Sequence, residues 1–333
     1  MYVYKSMITA TSCYAPERVI SNEWVEERIN GKNLLLPPGI LKDKFGLEQR
    51  RFAQDNEQTS DIAAAACFSI LQKHDRSSFD LLIFASGSSD MIEPATATIL
   101  QHKLGLTCPA MDVKNACSSF VCGMQVANAF IASGEYKKIL VVSGEKLSSI
   151  IKLDYGGKEE LIKRMASLSM GDGGAAFVME ASEMSNGMIF QKFFTAGKYW
   201  HLCTVPGGGS MFPHDGSKVY FEGKTAELRD VFLREKGTIL KDALDTAGWN
   251  ASELKFVFMH HVSERSFELA ALEMNLPLEK FYNKFKFYGN MAASSIPFSI
   301  ACADAEGLLQ AGDKIMLFGL ASGISISVQL IIW

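Results

Sequence analysis

One stretch of the sequence combines a thiol with a local pattern that would make it reactive. Residues 111–120 (MDVKNACSSF) begin as a short apolar run and end in small residues, and residues 123–131 then carry apolar side chains at helical spacing. This pattern predicts a strand, a tight turn and a long buried helix with Cys117 in its first turn. Because a helix N-terminus offers unpaired N–H groups and partial positive charge, we expect Cys117 to lose its proton easily and act as a nucleophile. The alternative is a buried structural cysteine.

Two further residues with catalytic side chains lie in the second half of the chain. His260 ends the apolar run of residues 254–259 (LKFVFM), and the pKa of histidine near neutrality suits an acid–base role. His261 points to the other side of the chain, so we expect one of the two histidines to be structural. Asn290 follows Gly289, where its side-chain N–H could stabilise an oxyanion; the alternative is a turn residue or helix N-cap.

Backbone donors complete this chemical set. Residues 320–324 (LASGI) are typical of a tight turn, whose N–H at Ser322 could point at a carbonyl oxygen, as could the N–H of Cys117. A thiolate, an acid–base group and two oxyanion donors together predict a pocket for an acyl thioester. Such chemistry requires no metal and no redox cofactor.

An internal repeat indicates how these distant residues could meet. At an offset of 175 residues, the run FDLLIF of residues 79–84 falls on LKFVFM, Asn115 falls on Asn290, and LVVSG of residues 140–144 falls on IMLFG. Three matches at one offset predict two copies of one α/β unit with mostly parallel sheets covered by helices. Because ligand sites in such sheets lie at the carboxyl ends of strands, Cys117 should face His260 and Asn290. The alternative is that the repeated strands are only similar pieces of core.

Other segments position this repeat. Residues 60–73 are predicted to form a helix with Ser60 as its N-cap, and residues 226–247 are predicted to form one long amphipathic helix. We expect the division into halves to fall at residues 1–175, which carry the nucleophilic cysteine, and 176–333, which carry the histidine and the asparagine.

The composition excludes several other classes of protein. The 333 residues are 48% hydrophobic and 21% charged, and the net charge of −4 without a Lys/Arg-rich block argues against nucleic acid as a partner. The seven cysteines show no paired spacing, which argues against a zinc site and favours a reduced, cytoplasmic protein. The N-terminus lacks the pattern of a signal peptide, and no apolar stretch is long enough to predict a membrane span.

These motifs resemble the thiolase superfamily, and most closely its β-ketoacyl-acyl-carrier-protein synthase III branch. The resemblance covers essentially the whole chain through five ordered motifs: DVKNACSSF, GDGGAAFV from Gly171, FMHHVSER, YGNMAASSIP and GLASGIS. It implies the thiolase fold, an α/β fold of five layers (α/β/α/β/α) built from two duplicated halves, and a homodimer. It also implies that Cys117 takes an acyl group from coenzyme A or an acyl carrier protein, while His260 and Asn290 bind a second thioester.

The resemblance also suggests residues that contact the substrate or its carrier. Arg265 falls where the family has a basic residue facing the carrier protein, and Arg164 matches an arginine near the tunnel mouth. Ser263 replaces a second asparagine of the family, and a serine there can still bind a water. The tryptophan that stacks on the coenzyme A adenine has no counterpart in residues 39–44, which makes delivery by a carrier protein more plausible.

Glu93 suggests a specialised branch of this family. Residues 92–97 (IEPATA) resemble a segment of head-to-head condensing relatives that places a glutamate in the pocket of the partner subunit, where it acts as a base on the acyl α-carbon. The alternative is a solvated glutamate at a helix start, where a carboxylate is favoured anyway.

We therefore expect a condensing acyltransferase. Cys117 would be acylated, and a Claisen condensation with a malonyl, β-ketoacyl or acyl thioester would then form a C–C bond in fatty-acid-like or specialised metabolite biosynthesis. Two other hypotheses are acyl transfer to a hydroxyl or amine acceptor, and a non-catalytic heterodimer partner of a ketosynthase.

Overall fold

Two sheets with matching strand orders organise the molecule. A computed structural model describes residues 5–29, 34, 36–182, 186–235, 238–260 and 262–333. The strands are β1 (Lys5–Tyr14), β2 (Arg18–Ser21), β3 (Gln49–Phe52), β4 (Leu81–Phe84), β5 (Ala110–Asp112), β6 (Lys138–Glu145), β7 (Gly173–Ser182), β8 (Gly187–Thr195), β9 (Cys203–Thr204), β10 (Glu222–Gly223), β11 (Leu254–Met259), β12 (Lys314–Ala321) and β13 (Ser325–Ile332). The helices are α1 (Asn22–Ile29), α2 (Ile40–Phe45), α3 (Thr59–Ala66), α4 (Phe68–Leu71), α5 (Thr96–Leu104), α6 (Ser119–Ser133), α7 (Lys158–Arg164), α8 (Thr225–Glu235), α9 (Ile239–Ala247), α10 (Glu264–Met274), α11 (Phe285–Tyr288) and α12 (Ser295–Ala305).

The two sheets repeat one topology. The first has the order β1-β7-β6-β4-β5 and the second β8-β13-β12-β11, so that β1, β7, β6 and β4 correspond to β8, β13, β12 and β11. Each pair of corresponding strands has the same direction relative to its neighbours, parallel for β4–β6 and β11–β12 and antiparallel elsewhere in the shared part. The duplication predicted from the 175-residue offset is therefore present in the fold.

The strand directions and the boundary between halves differ from the prediction. The sheets are mixed instead of mostly parallel, because β13 returns beside β12 through a tight turn and β7 likewise runs antiparallel to β6. The predicted boundary after residue 175 falls inside β7, which spans Gly173–Ser182 and pairs with β6 and β1 of the first sheet. The change of halves thus lies between Ser182 and the start of β8.

Alternating side chains show which layers cover the first sheet. On β4, Leu81 and Ile83 pack in one buried cluster with residues of α6 and α12, whereas Leu82 and Phe84 pack with residues of α3 and α5. Because successive side chains of a strand point to opposite faces, the sheet has helices on both faces.

The second sheet is covered in the same way. On β12, Ile315 and Leu317 join the cluster that contains α6 and α12, whereas Met316 and Phe318 pack against α9 and α10. Helices α6 and α12 are therefore the shared middle layer, and the predicted five-layered α/β/α/β/α arrangement is confirmed. Burial on both faces explains why these strands are continuous apolar runs.

The helix predicted over residues 226–247 is two helices, α8 and α9. Residues 236–237 between them lie outside the described part of the chain. The helix predicted over residues 60–73 is also divided, into α3 and α4, and it begins at a capping box formed by Gln58 and Asp61. Ser60 lies inside the helix, where its hydroxyl donates to Asp90.

Substitution of Phe177 tests whether packing against the middle layer is a main source of the stability of the fold. It is fully buried on β7, and its ring meets that of Phe120 on α6 edge to face at 5.0 Å. We predict that Phe177→Ala lowers the free energy of unfolding by about 3–5 kcal/mol, because it leaves a cavity between sheet and helix. Urea unfolding followed by circular dichroism measures this. Phe68→Ala, at a ring that is 66% exposed, is the control and should change stability by less than about 0.5 kcal/mol; equal losses in the two variants would contradict the layer assignment.

Candidate active site

Cys117 lies in a strained turn between β5 and α6. The preceding residue, Ala116, has a φ of +45°, a conformation that costs a non-glycine residue about 1–3 kcal/mol. Ser118 and Phe120 are fully buried after the turn, whereas Cys117 keeps part of its surface exposed. The turn therefore anchors the start of α6 in the core and leaves Cys117 at the edge of the buried region.

Asn115 ties this turn to the second half of the chain. Its Nδ2 donates to Ser325 Oγ on β13 at 3.0 Å and to Cys122 Sγ at 3.1 Å, and its backbone N–H donates to Ser119 Oγ at 2.8 Å. Ser325 was not predicted from the sequence as part of the site. The nucleophile turn is thus held from both halves.

The predicted backbone donors converge on the sulfur. The backbone N–H groups of Ser322 and of Cys117 itself lie near the Cys117 thiol and act to lower its pKa. Ser322 follows β12, and Ile324, which completes its turn, also has a positive φ of 40°. Glycine at position 319 permits this approach, because a Cβ there would lie 2.9 Å from Ser118 Oγ. The two predicted backbone donors therefore lie on the same side of the turn as the Cys117 sulfur.

His260 directly follows β11 and is 4% exposed. Its backbone N–H donates to Phe318 O at 3.0 Å, which continues the pairing of β11 with β12. Burial lowers the pKa of His260 to about 4, and a hydrogen bond between its ring and the backbone of Ala292 partly opposes this. At neutral pH the imidazole is therefore uncharged and can accept or donate a proton.

Asn290 is positioned by the Gly-rich segment that follows α7. Its backbone N–H donates to Ser169 O at 2.8 Å and its carbonyl accepts from Gly171 N–H at 3.0 Å. Gly289 has a φ of +72°, and a Cβ there would lie 2.5 Å from Ser169 O. These glycines are required because the backbones of residues 169–171 and 289–290 approach each other closely. This close approach fixes the position of Asn290.

Ala292 is the common neighbour of the three predicted catalytic residues. Its N–H donates to Asn290 Oδ1 at 2.9 Å, its backbone hydrogen-bonds to the His260 ring, and it packs in an apolar cluster with Cys117. Because the Asn290 oxygen is held by Ala292, Nδ2 is the end left to donate to a substrate. His260 and Asn290 thus meet at Ala292, whose φ is +42°, and Ala292 belongs to the apolar cluster against which Cys117 packs.

The predicted acidity of Cys117 is wrong in direction. Burial raises the pKa of the Cys117 thiol, and the nearby Cys203 and Glu145 raise it further, while the N–H groups of Ser322 and Cys117 oppose this rise. Desolvation therefore outweighs the helix N-terminus, and the free protein holds a neutral thiol that must release its proton during the reaction. Neither Cys203 nor Glu145 was singled out from the sequence, because β9 and β6 carry no motif that points to Cys117.

Glu93 lies apart from this cluster. It is exposed on the loop before α5, next to Ile92, whose side chain is 86% exposed. The loop is anchored at both ends, because Asp90 accepts from Ser60 and Asp112 accepts from the backbone N–H groups of Thr96 and Ala97. Within one chain, therefore, Glu93 projects outward on a fixed loop.

Arg164 does not present a free charge. Its guanidinium donates to Glu222 at 2.9 Å, to Glu160 at 3.2 Å and to Phe221 O at 3.1 Å, and the residue is buried. Since Phe221 packs in the same cluster as Cys117, Arg164 fixes the wall of the site and its charge is already neutralised.

The other residues implied by the resemblance lie at the start of α10. Arg265 is exposed in its first turn, and Ser263 precedes the helix with its hydroxyl 3.0 Å from Ser266 Oγ. His261 lies outside the described residues.

Three observations bear on cofactors and compartment. Within the described part of the chain, no group of three or more His, Cys, Asp or Glu side chains could hold a metal ion. All seven cysteines are free thiols. One segment, Ala116–Ser133, is long and apolar enough to cross a membrane, but it contains α6, which packs between the two sheets.

Comparisons with known proteins agree with this geometry. The family 3-oxoacyl-[acyl-carrier-protein] synthase III matches residues 111–197, and its C-terminal counterpart matches residues 244–333. A β-ketoacyl-[acyl-carrier-protein] synthase III of Fusobacterium nucleatum is 31% identical over 96% of both chains.

Two solved structures are similar along the whole chain. The 3-oxoacyl-[acyl-carrier-protein] synthase III of Aquifex aeolicus has a TM-score of 0.87 at 26% identity, covering 98% of this chain and 100% of that one. A cysteine-to-serine variant of OleA from Xanthomonas campestris, solved with bound lauric acid and lauroyl-CoA, has a TM-score of 0.89 at 25% identity, covering 99% of both chains. These similarities confirm the thiolase fold.

The lowered pKa of His260 predicts how stability depends on pH. The unfolded chain binds a proton at His260 below about pH 6.5, whereas the folded protein does so only near pH 4, so the free energy of unfolding should fall as pH decreases across this interval. Between pH 7.5 and pH 4.5 this one residue should account for a loss of roughly 2–3 kcal/mol. His260→Gln should lack that part of the loss in urea titrations. The exposed His102 supplies the control, and His102→Gln should behave as the wild type; identical pH dependence in all three proteins would contradict the neutral, buried histidine.

Proposed function

Because this chain belongs to the 3-oxoacyl-[acyl-carrier-protein] synthase III family of acyltransferases, we propose that it condenses two acyl thioesters through an acyl group carried on Cys117. The observation that carries this proposal is the meeting of Cys117, His260 and Asn290 around Ala292. Retention of all three side chains in one place also argues against a non-catalytic partner subunit.

The first step is acylation of the thiol. The sulfur of Cys117 attacks the carbonyl carbon of a thioester, the C–S bond to the donor breaks, and the released donor thiol takes up the proton that Cys117 loses. The N–H groups of Ser322 and Cys117 stabilise the negative oxygen of the tetrahedral intermediate. Since the Cys117 thiol is neutral at rest, its proton leaves only as the new bond forms.

The second step forms the C–C bond. Asn290 Nδ2 donates to the carbonyl oxygen of a second thioester, which favours an enolate there, and the neutral His260 ring lies beside it without a competing charge. The α-carbon of that enolate attacks the acyl carbon on Cys117, and the C–S bond breaks to give a β-keto thioester. The expelled Cys117 thiolate then recovers a proton.

We further propose that Glu93 of a partner subunit removes the α-proton in this step, so that no carboxyl group has to be lost. The anchored loop and the exposed neighbours Met91 and Ile92 beside Glu93 support insertion into a second copy of the chain, since adjacent apolar side chains that project together are suited to burial in a dimer. The similarity to OleA, which was solved with lauroyl-CoA, supports long acyl chains as the substrate class. Decarboxylation of a malonyl thioester is the competing source of the enolate.

We propose that an acyl carrier protein docks beside the exposed Arg265 and delivers the acyl group. Coenzyme A thioesters are the alternative donor. Seven free thiols fit a reducing compartment, which supports the cytoplasm as the site of the reaction.

Cys117→Ala tests the acyl-enzyme. Incubation with an acyl thioester should add one acyl mass to the wild type and none to the variant, because the sulfur is the attachment point. Intact-protein mass spectrometry reads this directly. Cys302→Ala, at another partly exposed thiol, is the control and should acylate normally; a normal adduct in Cys117→Ala would refute the assignment.

Mixing variants tests Glu93 and its position in the partner. Glu93→Gln should retain acylation but lose at least about 100-fold in condensation of two acyl thioesters, the usual effect of removing a general base. Subunits of Glu93→Gln and Cys117→Ala, mixed under exchange conditions, should regain about a quarter of wild-type activity, because each hybrid dimer holds one complete site. Product analysis by mass spectrometry measures both. No recovery on mixing would place Glu93 in its own subunit, and unchanged activity in Glu93→Gln with malonyl thioesters would favour decarboxylation.

A further inference from the structure

A buried carboxylate contacts loops of both halves beside the nucleophile. Glu145 is the last residue of β6 and is fully buried. Its Oε1 accepts from Gly87 N–H at 2.7 Å, and its Oε2 accepts from Ser88 N–H at 2.9 Å and from Ser88 Oγ at 2.6 Å. Gly87 and Ser88 follow β4 and begin the loop that carries Glu93, so the carboxylate holds that loop at its origin.

The same carboxylate reaches the second half. The backbone of Ala293, the residue after the Ala292 that contacts His260 and Asn290, lies close enough to lower the pKa of the Glu145 carboxyl group. It also lies beside the nucleophile turn, because a Cβ built on Gly87 would be 3.4 Å from Glu145 Oε1 and 3.7 Å from Ala116 O. One side chain therefore touches the surroundings of all the predicted catalytic groups.

The contacts of Glu145 favour its ionised form, whereas burial raises the pKa of its carboxyl group. The Gly87 and Ser88 partners are an N–H or O–H donor in every case, which suits a carboxylate with four acceptor sites. None of the ion pairs within the described residues includes Glu145. A buried charge without a cation destabilises a fold relative to an apolar side chain of the same size, so its presence here points to a role other than stability.

We propose that Glu145 is a positioning residue that holds the loop carrying Glu93 in register with the Cys117 turn and with the segment of Asn290 and Ala292. This proposal rests on the condensation proposed above for the significance of the register.

The test uses Glu145→Gln, with Glu26→Gln as a matched control. Glu26 is also buried and accepts two backbone N–H groups, of Gly39 and Leu41, but it lies on α1. The Glu145→Gln substitution keeps the shape of the side chain but removes its charge. Its NH₂ group would face the N–H and O–H donors of Gly87 and Ser88, which disturbs the register of the loops. Urea unfolding first compares the free energies of unfolding of the two variants, so that a loss of stability is not mistaken for a loss of function.

The first readout is the pH profile of Cys117 alkylation by iodoacetamide, followed by peptide mass spectrometry. We expect the apparent pKa of Cys117 to fall in Glu145→Gln and to stay unchanged in Glu26→Gln. The other titratable groups near the sulfur, Cys203 and His260, are the same in both variants. This readout needs no condensation, so it tests Glu145 even if the proposed function fails.

The second readout is the rate of each half-reaction. We expect Glu145→Gln to lose at least tenfold in kcat for condensation and less in acylation, since Asn290 acts in the second step. If Glu145→Gln does not fold, Ser88→Ala, which removes one donor and keeps the backbone contacts, should lower condensation without lowering the pKa of Cys117. Unchanged alkylation and condensation in the folded Glu145 variant, or effects equal to those of Glu26→Gln, would overturn the proposal.

Discussion

The site depends on one constraint, namely that turns from two halves must meet in strained conformations around the backbone of Ala292. Three non-glycine residues with positive φ, Ala116, Ala292 and Ile324, lie within two residues of Cys117, Asn290 and Ser322 respectively. Each costs about 1–3 kcal/mol and persists only where the surroundings over-determine it. Strain is therefore concentrated where the chain aims a sulfur, an amide and a backbone N–H at one point.

These turns are held in place by the packing of the middle layer and by hydrogen bonds between buried polar side chains of the two halves. Gly123 lets α6 approach β4, because a Cβ there would lie 2.7 Å from Ala85 Cβ. Ser143 and Ser294 hydrogen-bond across the halves at 2.8 Å, and Gln329 donates to Val121 O at 3.0 Å. These buried polar side chains therefore pair with partners in the other half of the chain and tie the two halves together.

The sequence predicted the repeat and the five layers because both leave a periodic, apolar trace. It also pointed to Cys117, His260 and Asn290, because their residue types and the motifs around them can be recognised in the sequence. The mixed strand directions and the boundary inside β7 depend on how connections return, which apolar runs do not record. Ser60 satisfies the N-cap rule, yet Gln58 and Asp61 compete better for the same backbone groups. The raised pKa of Cys117 and the contacts of Glu145 arise from burial among residues far apart in sequence, so no local pattern could have shown them.

The most direct test of the central claim, that both halves build one acyl-thioester site at Cys117, is a crystal structure of the acyl-enzyme formed with a long-chain acyl thioester. The account predicts electron density continuous with the Cys117 sulfur, with the acyl carbonyl oxygen at hydrogen-bond distance, about 3 Å, from the N–H groups of both Cys117 and Ser322. An acyl group attached elsewhere, or a carbonyl oxygen that turns away from the Ser322 turn, would contradict it.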